Sequence, residues 1–265
     1  MRNPRRPSAF VLAASDHGTL IVNRFDRRIV EGNRGYGVGF QVLESSAFDA
    51  SEVDLALALL ELRRKHFGDG VVAVDCGANI GVHSIEWAKR MTGWGSVVAI
   101  EAQERIFYAL AGNIAINNCF NARAIHAAVA AEDGTMAIPT PDYLRPGSFG
   151  SLELRRRDSN EFIGQPIDYS PESLSSVRTL KLDSLPVPRL DFLKVDVEGM
   201  ELEVLHGAAA LIGRHRPLMM IEHIKTDQRQ LGQFLATRGY GLHKVAINLL
   251  AIHGEDPCRN DIKFQ

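Results

Sequence analysis

Short apolar runs alternate with longer amphipathic segments along this chain from residue 71 onward. Residues 71–74 are all valine or alanine, as in a strand buried on both faces, whereas residues 80–92 place apolar side chains at helical spacing. Repetition of this alternation predicts an α/β fold, with a mostly parallel, doubly wound sheet and helices on both faces. The predicted strands are 71–75, 96–101, one within 122–129, 191–196 and 218–222, and the predicted helices are 80–92, 104–117, 200–212 and 227–237.

Both ends of the chain depart from this alternation. Strands predicted at 240–245 and 248–253 follow each other without a helix between them, which indicates an antiparallel hairpin at one edge of the sheet. Residues 1–70 form a predicted N-terminal extension to a core domain that covers residues 71–265. The extension is predicted to contain short strands at 19–22 and 38–43 and a helix at 51–65 that is capped by Ser51.

Residues 131–180 interrupt the core domain after its third strand. Their prolines and glycines are incompatible with a long helix, and a polar insertion of this length in an α/β domain is usually either functional or disordered. Ligands bind at the carboxyl ends of the strands in such sheets, and the insertion follows one of those ends. We therefore predict a substrate lid, with β structure near 149–154 and 177–182.

A glycine loop follows the first core strand. Asp75 stands at the strand tip, and Gly77 and Gly81 precede the next helix, so backbone amides and a helix N-terminus face a ligand there. The spacing is not G-x-G-x-x-G, and an acid at this point repels a pyrophosphate but suits a cation. Glu101 ends the next strand, where an acid accepts hydrogen bonds from ribose hydroxyls. Together these features predict S-adenosylmethionine as the ligand, and glycines that serve only helix–sheet packing are the alternative.

A second group of acids follows the later strands. Strand periodicity puts Asp196 and Glu198 on one side at the end of strand 191–196, and Glu222 ends strand 218–222 at the same sheet edge. Such clustered carboxylates could deprotonate a substrate hydroxyl or bind a divalent ion such as Mg²⁺. Two other roles stay open. Asp196 could bind the cofactor ammonium, and Glu198 could have the structural role of capping the following helix.

The composition of the chain limits the kinds of partner and cellular compartment to be expected. The net charge of −2 gives no basic field for nucleic acid, and no segment is long and apolar enough to span a bilayer. The three cysteines lie far apart without a C-x-x-C pair, which favours a reducing cytoplasm. The apolar side of helix 51–65 leaves a homodimer open alongside an intramolecular contact.

The two acidic regions resemble the FkbM-type class I methyltransferases. The resemblance rests on Val74-Asp-Cys-Gly-Ala-Asn-Ile-Gly81, Ala99-Ile-Glu101, Asn113-Ile-Ala-Ile-Asn117, Phe192-Leu-Lys-Val-Asp-Val-Glu-Gly-Met-Glu201, Glu203-Val-Leu-His-Gly-Ala208 and Ile221-Glu222. It implies a seven-stranded Rossmann-like methyltransferase sheet and O-methylation of a hydroxyl on a sugar or natural-product-like small molecule. The alternatives are an N-methyltransferase of a small molecule or peptide and a non-catalytic cofactor-binding module.

The resemblance also implies site residues. The cofactor would lie against Asp75, Gly77, Ala78, Asn79, Gly81, Glu101 and Ala102. The acceptor would face Asp196, Glu198 and Glu222, which are also the candidate ligands for a metal. Ala102 and Gln103 stand where a Glu-Pro pair is common in the family, so a different ribose loop is expected. Nothing in the extension or the insertion identifies the acceptor.

Overall fold

The computed structural model describes residues 7–30 and 34–263, and the predicted alternation of strands and helices is present from residue 71 onward. Its strands are β1 (Phe10–Ser15), β2 (Gly18–Asn23), β3 (Arg28–Val30), β4 (Arg34–Tyr36), β5 (Val71–Cys76), β6 (Gly95–Glu101), β7 (Ala122–His126), β8 (Ala128–Val129), β9 (Gly134–Pro139), β10 (Leu174–Leu180), β11 (Phe192–Val195), β12 (Leu218–Glu222), β13 (Tyr240–Val245) and β14 (Asn248–His253). Its helices are α1 (Val38–Ser45), α2 (Ala50–Phe67), α3 (Val82–Arg90), α4 (Glu104–Ile116), α5 (Glu201–Gly207), α6 (Ala209–His215) and α7 (Gln228–Ala236).

Seven strands form the central sheet, in the order β13-β14-β12-β11-β5-β6-β7. The five strands from β12 to β7 are mutually parallel, whereas β14 runs antiparallel to β12 and pairs with β13 as the predicted edge hairpin. Chain order reverses between β5 and β11, and a ligand crevice forms at the carboxyl ends of the strands at such a point. The sheet therefore brings the ends of β5 and β11 together.

The two faces of the sheet have different surroundings. On one face Val74, Leu193 and Ile221 join a large apolar core with residues of α5, α6 and α7. On the other face α2 and α3 pack against the sheet, and the Trp87 ring meets Phe192 edge-on at 5.2 Å. Alternation along each strand sends the polar residues near the strand ends to this second face.

Four local predictions differ from the structure. Residues 38–43 lie in α1 rather than in a strand, because Val38 and Val42 are buried at helical spacing and a short apolar run does not distinguish the two. Asp49, not Ser51, is the N-cap of α2. Residues 149–151 form a 3₁₀ turn instead of a strand. The helix expected over 200–212 is divided at Ala208 into α5 and α6.

The described chain divides into two compact units. The first unit comprises the residues up to Phe48 together with Ala137–Ser175, and the second comprises Asp49–Met136 together with the residues from Ser176 onward. Helix α2 thus lies in the second unit, with the central sheet. The insertion's role as a lid stays a prediction. All three cysteines are buried free thiols, and within the described ranges no helix is both long and apolar enough to cross a membrane.

Candidate active site

The glycine loop after β5 is held close to the neighbouring strands. The backbone amides of Gly77 and Ala78 both donate to the carbonyl of Ile100 at 3.0 Å. Gly77 has a φ of 78°, and a Cβ built on it would lie 1.8 Å from the carbonyl oxygen of Asp196. Only glycine permits this approach, because any side chain would meet backbone that has no room to move.

The rest of the loop turns into α3 through two more left-handed residues. Asn79 has a φ of 49° and Gly81 a φ of 92°. The Asn79 side-chain oxygen accepts from the Ile80 amide at 2.7 Å, and Asn113 of α4 donates to the Ile80 carbonyl at 2.9 Å. Asparagine tolerates this conformation because its short polar side chain bonds locally. Hydrogen bonds within the protein therefore hold the shape of this loop.

Asp75 lies at the tip of β5 with one carboxylate oxygen bonded and one not. Ser84 donates to Oδ2 at 2.6 Å, whereas Oδ1 is buried without a hydrogen-bond partner among the residues that the structure describes. An unsatisfied buried carboxylate oxygen costs about 1–3 kcal/mol or more. Such an atom beside a glycine loop fits a cationic ligand that is bound during function.

Glu101 ends β6 and bonds back to the glycine loop. Its carboxylate accepts from the amides of Asn79 at 3.0 Å and Gln103 at 2.8 Å. Burial raises the pKa of Glu101 to about 7, although these amides oppose the shift. A carboxylate has about four acceptor sites, so further ones are left for the two ribose hydroxyls.

Sequence reasoning missed an aromatic pair beside Glu101. His126, opposite Glu101 in the register of β6 and β7, stacks on Phe107 with ring centroids 5.0 Å apart. Its Nε2 lies 3.0 Å from the carbonyl oxygen of Ala102 and so holds the residue that follows Glu101. The sequence signal that could have revealed this aromatic pair is a histidine at the end of the third core strand.

The three predicted acids of the second region converge. One carboxylate oxygen each from Asp196, Glu198 and Glu222 lies within 4.8 Å of the others, which is close enough for a metal ion to bridge them. Two of the three carboxylates are paired with a lysine ammonium group. Lys194 Nζ lies 2.8 Å from Asp196, and Lys225 donates to Glu198. The Oε2 atom of Glu222 is buried and lacks a hydrogen-bond partner in the described part of the chain.

Burial and mutual repulsion change the acidity of this cluster. Burial and the charges of Asp196 and Glu201 raise the pKa of Glu222 to about 8. Burial and the charges of Asp196 and Glu222 raise the pKa of Glu198 well above its ordinary value, although Lys225 opposes this. Lys194 is buried, which disfavours its charge, but Asp196, Asp75 and Glu52 outweigh this and raise its pKa. Sequence reasoning missed Lys225 and its effect on Glu198.

A further polar layer, from α2, α3 and β14, was also missed. The Glu52 carboxylate on α2 accepts from Asn248 of β14 at 2.9 Å and lies 3.3 Å from His83 Nε2 of α3. Asn248 pairs with Glu222 across the two strands, so Glu52 reaches the strand beside the acidic cluster. No local motif marks Glu52, since its partners are distant in sequence.

Comparison with known proteins identifies a family. The model described as "Methyltransferase FkbM domain" matches residues 75–242, more than half of the chain. Methyltransferase sdnD of Sordaria araneosa is 31% identical over 153 residues, covering 51% of this chain and 59% of that protein. Methyltransferase 1 of Beauveria bassiana (strain ARSEF 2860) is 27% identical over 150 residues, covering 53% of this chain and 59% of that protein. The chain thus spans less than two thirds of the length of these curated relatives.

A solved structure has the same fold. The methyltransferase FkbM from Methylobacillus flagellatus KT matches with a TM-score of 0.50 and 18% identity, over 70% of this chain and 44% of that chain. At this identity the likeness concerns the fold, and it confirms the predicted Rossmann-like sheet. The match to the family model, which includes both the glycine loop and the acidic cluster, shows that the chain belongs to the FkbM methyltransferase family.

Proposed function

We propose that this chain transfers a methyl group from S-adenosylmethionine to a hydroxyl group of a small molecule, with Glu222 as the general base. The observation that carries this proposal is the buried, unpartnered oxygen of Glu222 within a carboxylate cluster whose other two members have ammonium partners. A base needs a free lone pair and a pKa near the working pH. With a pKa of about 8, Glu222 meets both conditions.

The residues around the glycine loop fit the donor. S-adenosylmethionine supplies, when bound, a methyl group on a positively charged sulfur that serves as the leaving group. Asp75 would hold its ammonium group through the orphan Oδ1, and Glu101 would bind its ribose. Its methionine end would lie against Gly77, Ala78, Asn79 and Gly81, and its ribose would lie beside Ala102. This donor site adjoins the acidic cluster, because Gly77 approaches the backbone of Asp196.

The cluster then acts on the acceptor. As the acceptor oxygen attacks the methyl carbon, its proton moves to Glu222. Asp196 and Glu198, each neutralised by a lysine, would bind and orient the acceptor rather than take the proton. Alignment of the attacking oxygen with the methyl group accounts for most of the rate enhancement, as in other reactions between two reactants held in one site. A hydroxyl on a sugar or a natural-product-like molecule is the proposed acceptor class, and this part rests on the family.

The metal alternative uses the same three carboxylates. A divalent ion there would have to compete with the ammonium groups of Lys194 and Lys225, which already offset two negative charges. We therefore propose that the chain's own acids and lysines suffice for the reaction. Turnover that Mg²⁺ restores after chelation would contradict this part.

Binding of the donor is the first test. Calorimetric titration with S-adenosylmethionine and S-adenosylhomocysteine, with and without Mg²⁺, is expected to give micromolar affinity in the wild type. Glu101→Ala is expected to weaken that affinity at least about tenfold, because two ribose hydroxyls lose their acceptor. Glu104→Ala, which removes a nearby exposed acid, is the control and should bind normally. Absence of binding by the wild type would rule out the methyltransferase proposal.

Turnover with methyl-labelled donor and a panel of hydroxyl and amine acceptors is the second test. Activity on amines that persists in Glu222→Gln and Asp196→Asn would indicate an N-methyltransferase instead, since an amine acceptor needs less base catalysis. Binding of the donor without turnover on any acceptor would favour the non-catalytic module.

A further inference from the structure

The turn that carries Glu198 has a strained backbone. Glu198 has a φ of 55° and Gly199 a φ of 95°, so two successive residues are left-handed. For a glutamate this conformation costs about 1–2 kcal/mol and persists only where its surroundings impose it. This strained conformation places Glu198 beside Asp196 and Glu222, so neighbouring side chains must hold the turn in place.

The carboxyl group of Glu201 bridges that turn. Its Oε1 accepts from the amide of Gly199 at 2.9 Å and from the amide of Val197 at 3.3 Å, on both sides of Glu198. Glu201 is 0% exposed, and its Oε2 has no hydrogen-bond partner in the described ranges. On the strand side, the amide of Asp196 is held by the carbonyl of Cys76 at 3.1 Å. The turn is thus fixed at one end by the sheet and at the other by Glu201.

We infer that Glu201 is a positioning residue of the methyl-transfer reaction, whose carboxyl group holds the 197–199 turn so that Glu198 faces Asp196 and Glu222. This inference rests on the proposed function. Without both accepted hydrogen bonds, Glu198 can relax to a negative φ and its carboxylate leaves the cluster together with the ammonium of Lys225. A shift of about 1 Å in such a group can lower the rate by about 10²-fold.

A purely structural role predicts different behaviour. Glutamate in the first turn of a helix commonly accepts nearby amides and stabilises the helix end. Loss of that role would lower stability and cofactor binding together, because α5 follows the strand that the glycine loop contacts. The positioning role instead predicts a fall in kcat with the donor site intact.

Three variants separate these roles. Glu201→Gln keeps an acceptor oxygen at the same reach, Glu201→Asp keeps the charge but is too short to span both amides, and Glu201→Ala removes the acceptor. Glu203→Gln, which removes an acid from the same turn of α5, is the control. S-adenosylhomocysteine is the binding probe, and methyl-labelled S-adenosylmethionine with the best wild-type acceptor measures turnover.

The expected result is a kcat about 10- to 100-fold lower in Glu201→Asp and Glu201→Ala, with S-adenosylhomocysteine affinity within about twofold of the wild type. Glu201→Gln and the control should keep most of the activity. Wild-type kcat in Glu201→Asp, equal loss in Glu201→Gln, or parallel loss of affinity would each overturn the inference.

Crystal structures of Glu201→Asp and Glu201→Gln test the same inference without an acceptor. Glu198 should leave its positive φ in the first variant and keep it in the second, and retention in both would overturn the positioning role. Wild-type protein without turnover would instead reject the proposed function, while the structures still decide what holds the turn.

Discussion

We propose different roles for three acids of similar chemistry at this sheet edge because their partners differ. Asp196 and Glu198 each bind a lysine ammonium, so part of each carboxylate is already occupied. Glu222 is more deeply buried than these two acids, yet it retains an oxygen without a partner in the described chain. The assignment of one base among three carboxylates therefore depends on where two lysines lie.

The pH dependence of the rate tests this assignment. Because the base must be deprotonated and its pKa is raised to about 8, kcat/KM is expected to rise with pH and to level off above pH 8. Glu222→Gln should lower the rate by about 10²–10⁴-fold and abolish this rise, with donor binding unchanged. A wild-type profile that is flat between pH 6 and about 9 would contradict the role of Glu222.

The same shift predicts a stability effect. Between the ordinary value of 4.5 and the folded value of about 8, the native state binds more protons at Glu222 than the unfolded chain does. Stability from this group therefore falls as pH rises through that window. Thermal unfolding of Glu222→Gln should show a higher Tm than the wild type at pH 9 and little difference at pH 4, with Glu255→Gln as an exposed control.

At the scale of elements, the loop between β5 and α3 depends on a close approach that one residue permits. Gly77 and Gly93 both have a positive φ, of 78° and 84° respectively. A Cβ at Gly77 would overlap the Asp196 carbonyl oxygen at 1.8 Å, whereas nothing lies within 4 Å of one at Gly93. The pair therefore separates backbone strain from steric overlap.

Alanine at these two glycines has different expected costs. Gly93→Ala should lower the free energy of unfolding by about 1 kcal/mol, from strain alone. Gly77→Ala should cost about 1–3 kcal/mol more, because β5 and β11 must separate, and should abolish donor binding. Chemical denaturation with calorimetry measures both effects, and equal costs would show that the approach of Gly77 to Asp196 is not required.

Helix α2 is joined through Glu52 to the end of the sheet that carries the acidic cluster. Burial opposes its charge, but hydrogen bonding to His83 and the charge of Lys194 outweigh this, with help from Asn248, and lower the pKa of Glu52 to about 2. Its stabilising contribution is therefore present above the ordinary value of 4.5 and is lost as pH falls toward 2.

Removal of the charge of Glu52 is expected to lower stability in a way that depends on pH. Glu52→Gln should lower the free energy of unfolding by about 2 kcal/mol at pH 7, and the difference from the wild type should shrink as pH falls through 4.5 toward 2. Glu61→Gln, at a half-exposed position of the same helix, should have little effect. A difference that does not depend on pH would mean that packing, rather than charge, accounts for the loss.

At the scale of the whole molecule, the chain builds two compact units from interleaved segments. In the first unit the buried carboxylate of Asp26 accepts from the amide of Gly39 at 2.8 Å and from the amide of Phe149 at 2.9 Å. Burial raises the pKa of Asp26 to about 6 despite these amides. One side chain thus joins the N-terminal segment to the insertion within this unit.

Loss of that link should loosen the first unit. Asp26→Ala is expected to accelerate hydrogen exchange at the amides of Gly39 and Phe149 by about 5- to 30-fold, since about 1–2 kcal/mol of local stability is removed. Asp158→Ala, at an exposed acid of the same unit, should leave exchange unchanged. Unchanged protection of both amides in Asp26→Ala would show that other contacts hold the two segments together.

The amino-acid pattern alone predicted the sheet, its edge hairpin and the meeting of Asp196 with Glu222. These follow from local periodicity and from the rule that the carboxyl ends of parallel strands share one edge. It could not assign residues 38–43, where the same apolar spacing suits a helix and a strand.

Which of the three acids has an unpartnered oxygen became clear from the folded structure, because Glu198 and its partner Lys225 come from different parts of the chain. The folded structure alone also placed Glu52 of α2 beside Asn248, 196 residues away. Periodicity in a sequence reports which side of an element is buried, whereas ion pairs and hydrogen bonds depend on how distant elements pack.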